Sequence, residues 1–270
     1  MTKILTILLL FCITLLAYND YDIDGVEDRN DKCPDTPILE LVSMDGCSIK
    51  SLASPHHFDL IYGFDFYQTN YDTLEDTNTI SQSLQLDYYY KNFSLQLSSA
   101  YYNSNSITYN DSGANDSFVG AYYKLTSDST LIFRIGVGAI IPTYDSDLNN
   151  NNTDYTASLN VSYPLKSMNI FGGYSHTLIN DDDIPTEGIE YQNTHAYNVG
   201  LGFYPTNKFY LSTAYNSSNS IYTEIDDIDT ASIYGLYSID ENWFLTLNYA
   251  YGISDSASDN FASLRVGYYF

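Results

Sequence analysis

The chain has 270 residues, a formal net charge of -24 at pH 7 and only 10 lysine and arginine residues. Nucleic-acid binding needs clustered basic side chains that neutralise phosphates, so this composition argues against a nucleic-acid partner. Disorder is typical of acidic chains with few apolar residues, but here 16% of the residues are aromatic and 44% are hydrophobic. Beyond residue 17 no apolar run reaches the roughly 20 residues of a spanning helix, so any membrane crossing has to use strands.

Residues 1–17, MTKILTILLLFCITLLA, predict a secretory signal peptide. They combine Lys3 with an apolar core and a small residue, Ala17, at the expected cleavage point. A large side chain, Phe11, precedes Cys12, whereas a lipidation signal requires a small one. Removal of the signal leaves Cys33 and Cys47, and an even number of cysteines in an oxidising compartment predicts a disulfide.

Residues 18–49 contain closely spaced carboxylates around Gly25. Counted as a 12-residue loop from Asp20, this segment has carboxylates at positions 1, 3, 5, 9 and 12, glycine at 6 and a backbone carbonyl at 7, which is the spacing of an EF-hand-type loop. Calcium prefers such oxygen ligands, and Gly25 permits the sharp turn. The predicted ligands are Asp20, Asp22, Asp24, Asp28 and Asp31, with the carbonyl of Val26.

The continuation DKCPDTP, followed by Asp45-Gly46-Cys47, resembles a thrombospondin type 3 repeat, similar to the linkers of outer-membrane protein A relatives. The resemblance implies that the segment holds calcium through those aspartates, carries a Cys33–Cys47 bridge and lies in the periplasm. A solvated acidic tail is the alternative. Residues 50–57 are predicted to be a linker.

Residues 58–270 repeat one pattern of alternating strands joined by long polar loops and tight turns, which predicts an all-β, 12-stranded antiparallel transmembrane β-barrel. Aromatic residues at both ends of the strands predict two interfacial girdles, which a soluble β-sandwich does not need. A β-propeller also repeats at about 40 residues, but it fits four short strands into each repeat and carries blade signatures that this sequence lacks. The predicted strands are 58–68, 80–90, 93–103, 116–125, 130–141, 154–163, 168–178, 195–204, 209–217, 230–239, 243–252 and 260–270.

The last segment, Asn260–Phe270, alternates between an apolar face and a face that carries Arg265. It resembles the closing strand of bacterial outer-membrane β-barrels, whose terminal phenylalanine is part of the assembly signal. The resemblance implies a cell outer-membrane location, and the partners expected there are membrane lipid, lipopolysaccharide and the barrel assembly machinery, with Phe270 as the signal.

Strand alternation predicts that six charged side chains point into the lumen, with Arg265 expected to meet Asp59. They form either a stabilising ion network or a charged constriction. The histidines do not fit a barrel hydrolase, because Ser175 and Thr177 point away from the face of His176, so no enzymatic activity is predicted. The predicted function is a narrow channel for passive diffusion of small solutes or ions, and the alternative is a non-conducting structural or adhesive barrel. The predicted lumen charges are Asp59, Asp65, Asp87, Lys124, Arg134 and Arg265.

Overall fold

The structure, a computed structural model, describes residues 22, 26, 31–33, 36, 42, 45–47, 56–70, 75–108, 110–126, 130–144, 152–165, 168–186 and 188–270. Among these residues no helix is long and apolar enough to cross a bilayer. The strands are β1 (His56–Thr69), β2 (Thr77–Tyr90), β3 (Phe93–Asn105), β4 (Asn110–Ala114), β5 (Ser117–Thr126), β6 (Ile132–Ile141), β7 (Asp154–Leu165), β8 (Met168–Leu178), β9 (Thr194–Thr206), β10 (Phe209–Ser218), β11 (Ile228–Ser238), β12 (Trp243–Gly252) and β13 (Asn260–Tyr269).

These strands form one closed antiparallel barrel. Neighbours in sequence pair around the sheet from β5 to β13, β13 pairs with β1, and the β1–β2 and β2–β3 pairs complete the circle. The first and last strands meet at the seam, where the N–H of Phe270 donates to the carbonyl of Phe58 over 2.8 Å. Since β4 and β5 both pair with β3, the thirteen strands make twelve wall positions, which confirms the predicted fold.

The short strand β4 corrects the prediction of a loop between residues 104 and 115. Ala114 pairs with Tyr101 and Phe118 pairs with Ser98, so three residues of the β4–β5 strand lie opposite two residues of β3. One extra residue on one strand is a β-bulge. The bulge is fixed by the N–H of Asn115, which donates to the carbonyl of Ala100 over 2.8 Å. Polar residues on both sides of the bulge hide the strand pattern, so the sequence reads as a loop.

The apolar side chains lie on the outside of the barrel. Val137 and Leu247 are 61% and 58% exposed, while only four apolar residues of the described chain are buried. Tyrosine and tryptophan are exposed at the two ends of the same outer surface, as in Tyr155 and Trp243. This inversion of the usual burial pattern is typical of a wall that faces lipid, with aromatic belts at the two interfaces.

Candidate functional site: the lumen

The six predicted lumen charges occupy the inward register of one half of the barrel. The outward register of each strand carries the exposed apolar residues, and the charged residues alternate with them. All six lie on β13, β1, β2, β5 and β6, which with β3 form one continuous half of the circle. This half is called the charged wall below, and β7 to β12 form the neutral wall.

The ion pair of Arg265 differs from the predicted one. Its Nη2 lies 3.6 Å from Oδ1 of Asp65, whose residue is only 5% exposed. The register places Arg265 opposite Gly63, two residues from Asp65 but four residues from Asp59. At about 3.3 Å per residue along a strand, Asp59 is out of reach. The sequence indicates that β1 and β13 are neighbours, but it does not fix their register.

Asp59 and Asp87 lie directly opposite each other on β1 and β2. Two carboxylates in this position repel each other, so their surroundings have to compensate. Oδ2 of Asp87 accepts hydrogen bonds from Gln85 Nε2 over 2.8 Å and from the Tyr89 hydroxyl over 3.4 Å. Arg134, three strands further round the wall on β6, attracts Asp87 electrostatically. The paired carboxylates therefore belong to a local network.

Lys124 and Arg134 form the matching cationic pair, opposite each other on β5 and β6. The guanidinium of Arg134 lies over the ring of Tyr122, 3.9 Å from the centroid, which is cation–π geometry. Tyr122 in turn donates its hydroxyl to Gln96 Oε1 over 3.2 Å. The positive charge is thus held against the wall by an aromatic ring.

The neutral wall presents amides, hydroxyls and aromatic rings to the lumen, with one carboxylate, Asp154, at the long-loop end of β7. Oδ1 of Asp154 accepts the N–H of Asn180 over 2.8 Å, so it caps a loop. A row of paired residues crosses four strands in the order Asn160, Gly173, Asn198 and Asn216.

A cavity of about 320 Å³ lies against this row on the inner surface of the neutral wall. Gly173 creates the space, because a Cβ there would lie 2.4 Å from Oδ1 of Asn160 and 3.0 Å from Nδ2 of Asn198. Asn216 is held in place by donating to Thr230 Oγ1 over 3.2 Å and to Ser232 Oγ over 3.1 Å. The polar side chains that line the cavity include those of Ser158, Asn160, Ser175, Asn198, Asn216 and Thr230.

Inward glycines give the aromatic rings of the lumen a place to lie flat. A Cβ at Gly136 would meet the ring of Tyr122 at 2.3 Å, and one at Gly267 would meet Phe244 at 2.1 Å. Gly200 stands in the same relation to Phe171 on the neutral wall. These rings cover neighbouring strands instead of projecting across the pore. Sequence reasoning missed this feature, although its signal is a glycine in the inward register beside an inward aromatic residue.

The acidic long loops are tied together at the mouth. Oδ1 of Asp116 accepts the N–H groups of Thr143 and Tyr144, and Oδ1 of Asp181 accepts that of Asn152 over 3.1 Å. Burial raises the pKa of Asp181; the Asn152 N–H opposes this, whereas the charges of Asp116 and Asp182 add to it. Asp116 and Asp181 therefore stabilise the backbone of the loops in addition to carrying negative charge.

The N-terminal segment is described at a few positions. Cys33 and Cys47 form a disulfide, as predicted. Asp22 Oδ2 accepts the N–H of Thr36 over 2.6 Å, and Asp31 Oδ1 accepts that of Cys33 over 2.7 Å.

The predicted calcium ligands of this segment are carboxylates and one backbone carbonyl, which are the oxygen ligands that calcium prefers. Within the described positions no group of three or more histidine, cysteine or acidic side chains could hold a metal ion. Val26 is described and buried. Asp20, Asp24, Asp28 and the predicted signal peptide (1–17) lie outside the described residues.

No protein-family model and no curated protein sequence matches the chain. Among solved structures it is similar to the COG4313 outer membrane channel from Pseudomonas putida F1, with a TM-score of 0.67 and 10% identity over 82% of this chain and 97% of that one. The fold is a closed, 12-stranded antiparallel β-barrel similar to that of this outer-membrane channel. A weaker likeness, with a TM-score of 0.47 and 12% identity, relates 77% of the chain to 98% of the KdgM porin in complex with disordered oligogalacturonate.

Proposed function

We propose that this protein is an outer-membrane channel for passive diffusion of small solutes, with neutral, hydrogen-bonding solutes passing along the neutral wall. The observation that carries the proposal is the row of amides beside the Gly173 cavity. Asn160 and Asn198 present both donors and acceptors to the lumen, so a hydroxylated solute can exchange bonds with water for bonds with the wall.

The charged wall contributes less to solute choice, because its charges are balanced locally. Three carboxylates face three cations there, and the closest pair is Arg265 with Asp65. The acidic loops add a negative mouth, which raises the local cation concentration over a Debye length of about 8 Å at physiological salt. We therefore expect the conductance of small ions to favour cations modestly.

The test is reconstitution of folded protein into planar bilayers and liposomes. We expect single-channel steps and osmotic swelling with small neutral sugars, at rates that fall as the sugar grows. Protein that migrates as a folded barrel on a detergent gel but shows neither steps nor swelling would exclude the channel. That outcome favours the structural or adhesive alternative, for which the bridge between Tyr191 and Tyr222 of two long loops provides a rigid outer surface.

Phe270 is proposed as the signal read by the assembly machinery. Its ring is 61% exposed and packs on Tyr268 with a centroid distance of 4.7 Å, so it is accessible beside the seam. Deleting Phe270 should lower the amount of heat-modifiable barrel in the outer membrane without changing synthesis; an unchanged amount argues against this role.

Calcium binding by residues 18–49 is proposed from the ligand spacing, with the segment in the periplasm. The disulfide and the hydrogen bond from Thr36 Oγ1 to the carbonyl of Gly46, 2.7 Å long, stabilise the end of the segment that follows the loop. Calorimetry on the full chain should detect one calcium site that Asp24→Ala weakens. Absence of heat at millimolar calcium, the weak end for extracellular modules, identifies the segment as a spacer.

A further inference from the structure

Two histidines lie side by side on the outer surface of the barrel, facing away from the lumen. His176 of β8 and His195 of β9 are directly paired across the strands. Their Nδ1 atoms are 3.0 Å apart, and their rings are nearly parallel, with centroids 4.9 Å apart. The Tyr174 hydroxyl lies 3.3 Å from Nδ1 of His195.

We propose that His176 and His195 bind one divalent transition-metal ion, of the copper, nickel or zinc class, through their imidazole nitrogens. Imidazole binds such ions with metal–nitrogen distances of about 2.0–2.1 Å. Two such nitrogens are about 2.9 Å apart at a right angle and about 3.4 Å apart at a tetrahedral angle. The observed 3.0 Å lies within this range. Without metal, one Nδ1–H donates to the other Nδ1. Metal binding requires that this histidine adopt its other tautomer, with the proton on Nε2, and that the rings turn until both Nδ1 lone pairs point at one ion.

The surroundings leave room for the remaining ligands. The residue opposite His176 on β7 is Ala157, whose small side chain does not cover the pair. On the other side, Asn219 follows β10 and holds the backbone of His195, whose N–H donates to Asn219 Oδ1 over 2.6 Å. The strands thus fix the positions of the two histidines while the outward side stays open.

The position of the two histidines along their strands places them where the remaining metal ligands can come from the surroundings. Tyr174 and Tyr197 form the neighbouring outward pair, both about half exposed, and the histidines lie two residues nearer the long loops. Tyrosines in this position mark the boundary of the apolar layer, so the histidines lie at the level of lipid head groups and water. Water or an anionic oxygen can complete the coordination of an ion held by two imidazoles.

The experiment uses folded, detergent-solubilised full-length protein without a polyhistidine tag, with Cu²⁺ alone as the probe and excess calcium present to occupy acidic sites. Calorimetry should report one tight copper site, and the electron paramagnetic resonance spectrum should show two nitrogen ligands. His176→Ala and His195→Ala should each weaken binding at least about tenfold, since losing even a group that only orients a ligand costs about 10- to 100-fold.

His56→Ala is the matched control, because His56 also contacts strand tyrosines and lies opposite Tyr90 rather than opposite a histidine on β2. This variant should bind copper like the wild type. Undiminished binding in the His176→Ala/His195→Ala double variant, or a spectrum without nitrogen coupling in the wild type, overturns the proposal. Heat modifiability of each variant on a gel verifies that the barrel is folded.

Discussion

The two halves of the lumen wall use polar side chains in different ways. On the charged wall, Asp65, Asp87 and Arg134 are engaged by an ion pair, hydrogen bonds or an aromatic ring. On the neutral wall, Asn160 and Asn198 flank a glycine and line a cavity. The comparison supports the proposal that charge in this lumen serves mainly to stabilise the wall, whereas the uncharged half offers its hydrogen bonds to solutes.

The largest effect is expected from breaking the ion pair of the charged wall. Arg265→Met leaves the carboxylate of Asp65 buried without its cation. We expect the free energy of unfolding to fall by about 2 kcal/mol, because a buried charge without a partner is not compensated for its lost hydration. Exposure of Arg265 keeps the loss below that of a fully buried pair. Urea unfolding of the refolded barrel in detergent measures it.

The double variant Asp65→Asn/Arg265→Met is the control, and it should recover most of the lost stability because no charge remains unpaired. If Arg265→Met is as stable as the wild type, the pair contributes nothing and the charges of this wall are available to solutes.

A smaller effect is expected from filling the space under an aromatic ring. A valine at Gly267 overlaps the ring of Phe244, which has to swing into the lumen, so Gly267→Val should reduce single-channel conductance and cost about 1 kcal/mol, the low end for overpacking. The control is Gly235→Val on the outer surface, where a Cβ would come no closer than 3.3 Å to Phe209. Equal conductance in the two variants would show that the rings do not set the pore width.

The smallest effect is expected at the mouth. Replacing Asp181, Asp182 and Asp183 with asparagine should reduce the preference for cations, measured as a reversal potential, and about 1 M salt should abolish the difference by screening. Because the pKa of Asp181 is raised, its charge is lost at a higher pH than that of a carboxylate with an ordinary pKa, so the wild-type preference should begin to decline above the ordinary carboxylate range. A pH-independent preference contradicts this assignment.

The raised pKa of Asp181 also determines how this carboxylate affects the stability of the folded state at different pH values. A carboxylate whose pKa is raised by folding favours the folded state below its unfolded pKa, and this contribution is lost as the pH rises through the folded pKa. Asp181→Asn, which keeps an acceptor for the Asn152 N–H, should therefore not destabilise the loops at neutral pH. Thermal unfolding at pH 7 checks this sign.

The sequence predicts the barrel well, because period-2 alternation and terminal aromatics are set locally by the contrast between lipid and lumen. It predicts that six charges point inward, but not that Arg265 meets Asp65, since the pairing depends on the register between the first and last strands. The bulge at Asn115 and the cavity at Gly173 are also invisible, because each depends on which residues neighbouring strands place side by side.

The most direct test of the central claim compares two adjacent glycines on opposite faces of β8. Gly173→Leu places a side chain against Asn160 and Asn198 in the neutral cavity, whereas Gly172→Leu adds the same atoms to the outer surface. Liposome swelling with a small neutral sugar should slow severalfold for Gly173→Leu and match the wild type for Gly172→Leu, while both keep their cation conductance. Unchanged sugar flux through Gly173→Leu would contradict a solute path along the neutral wall.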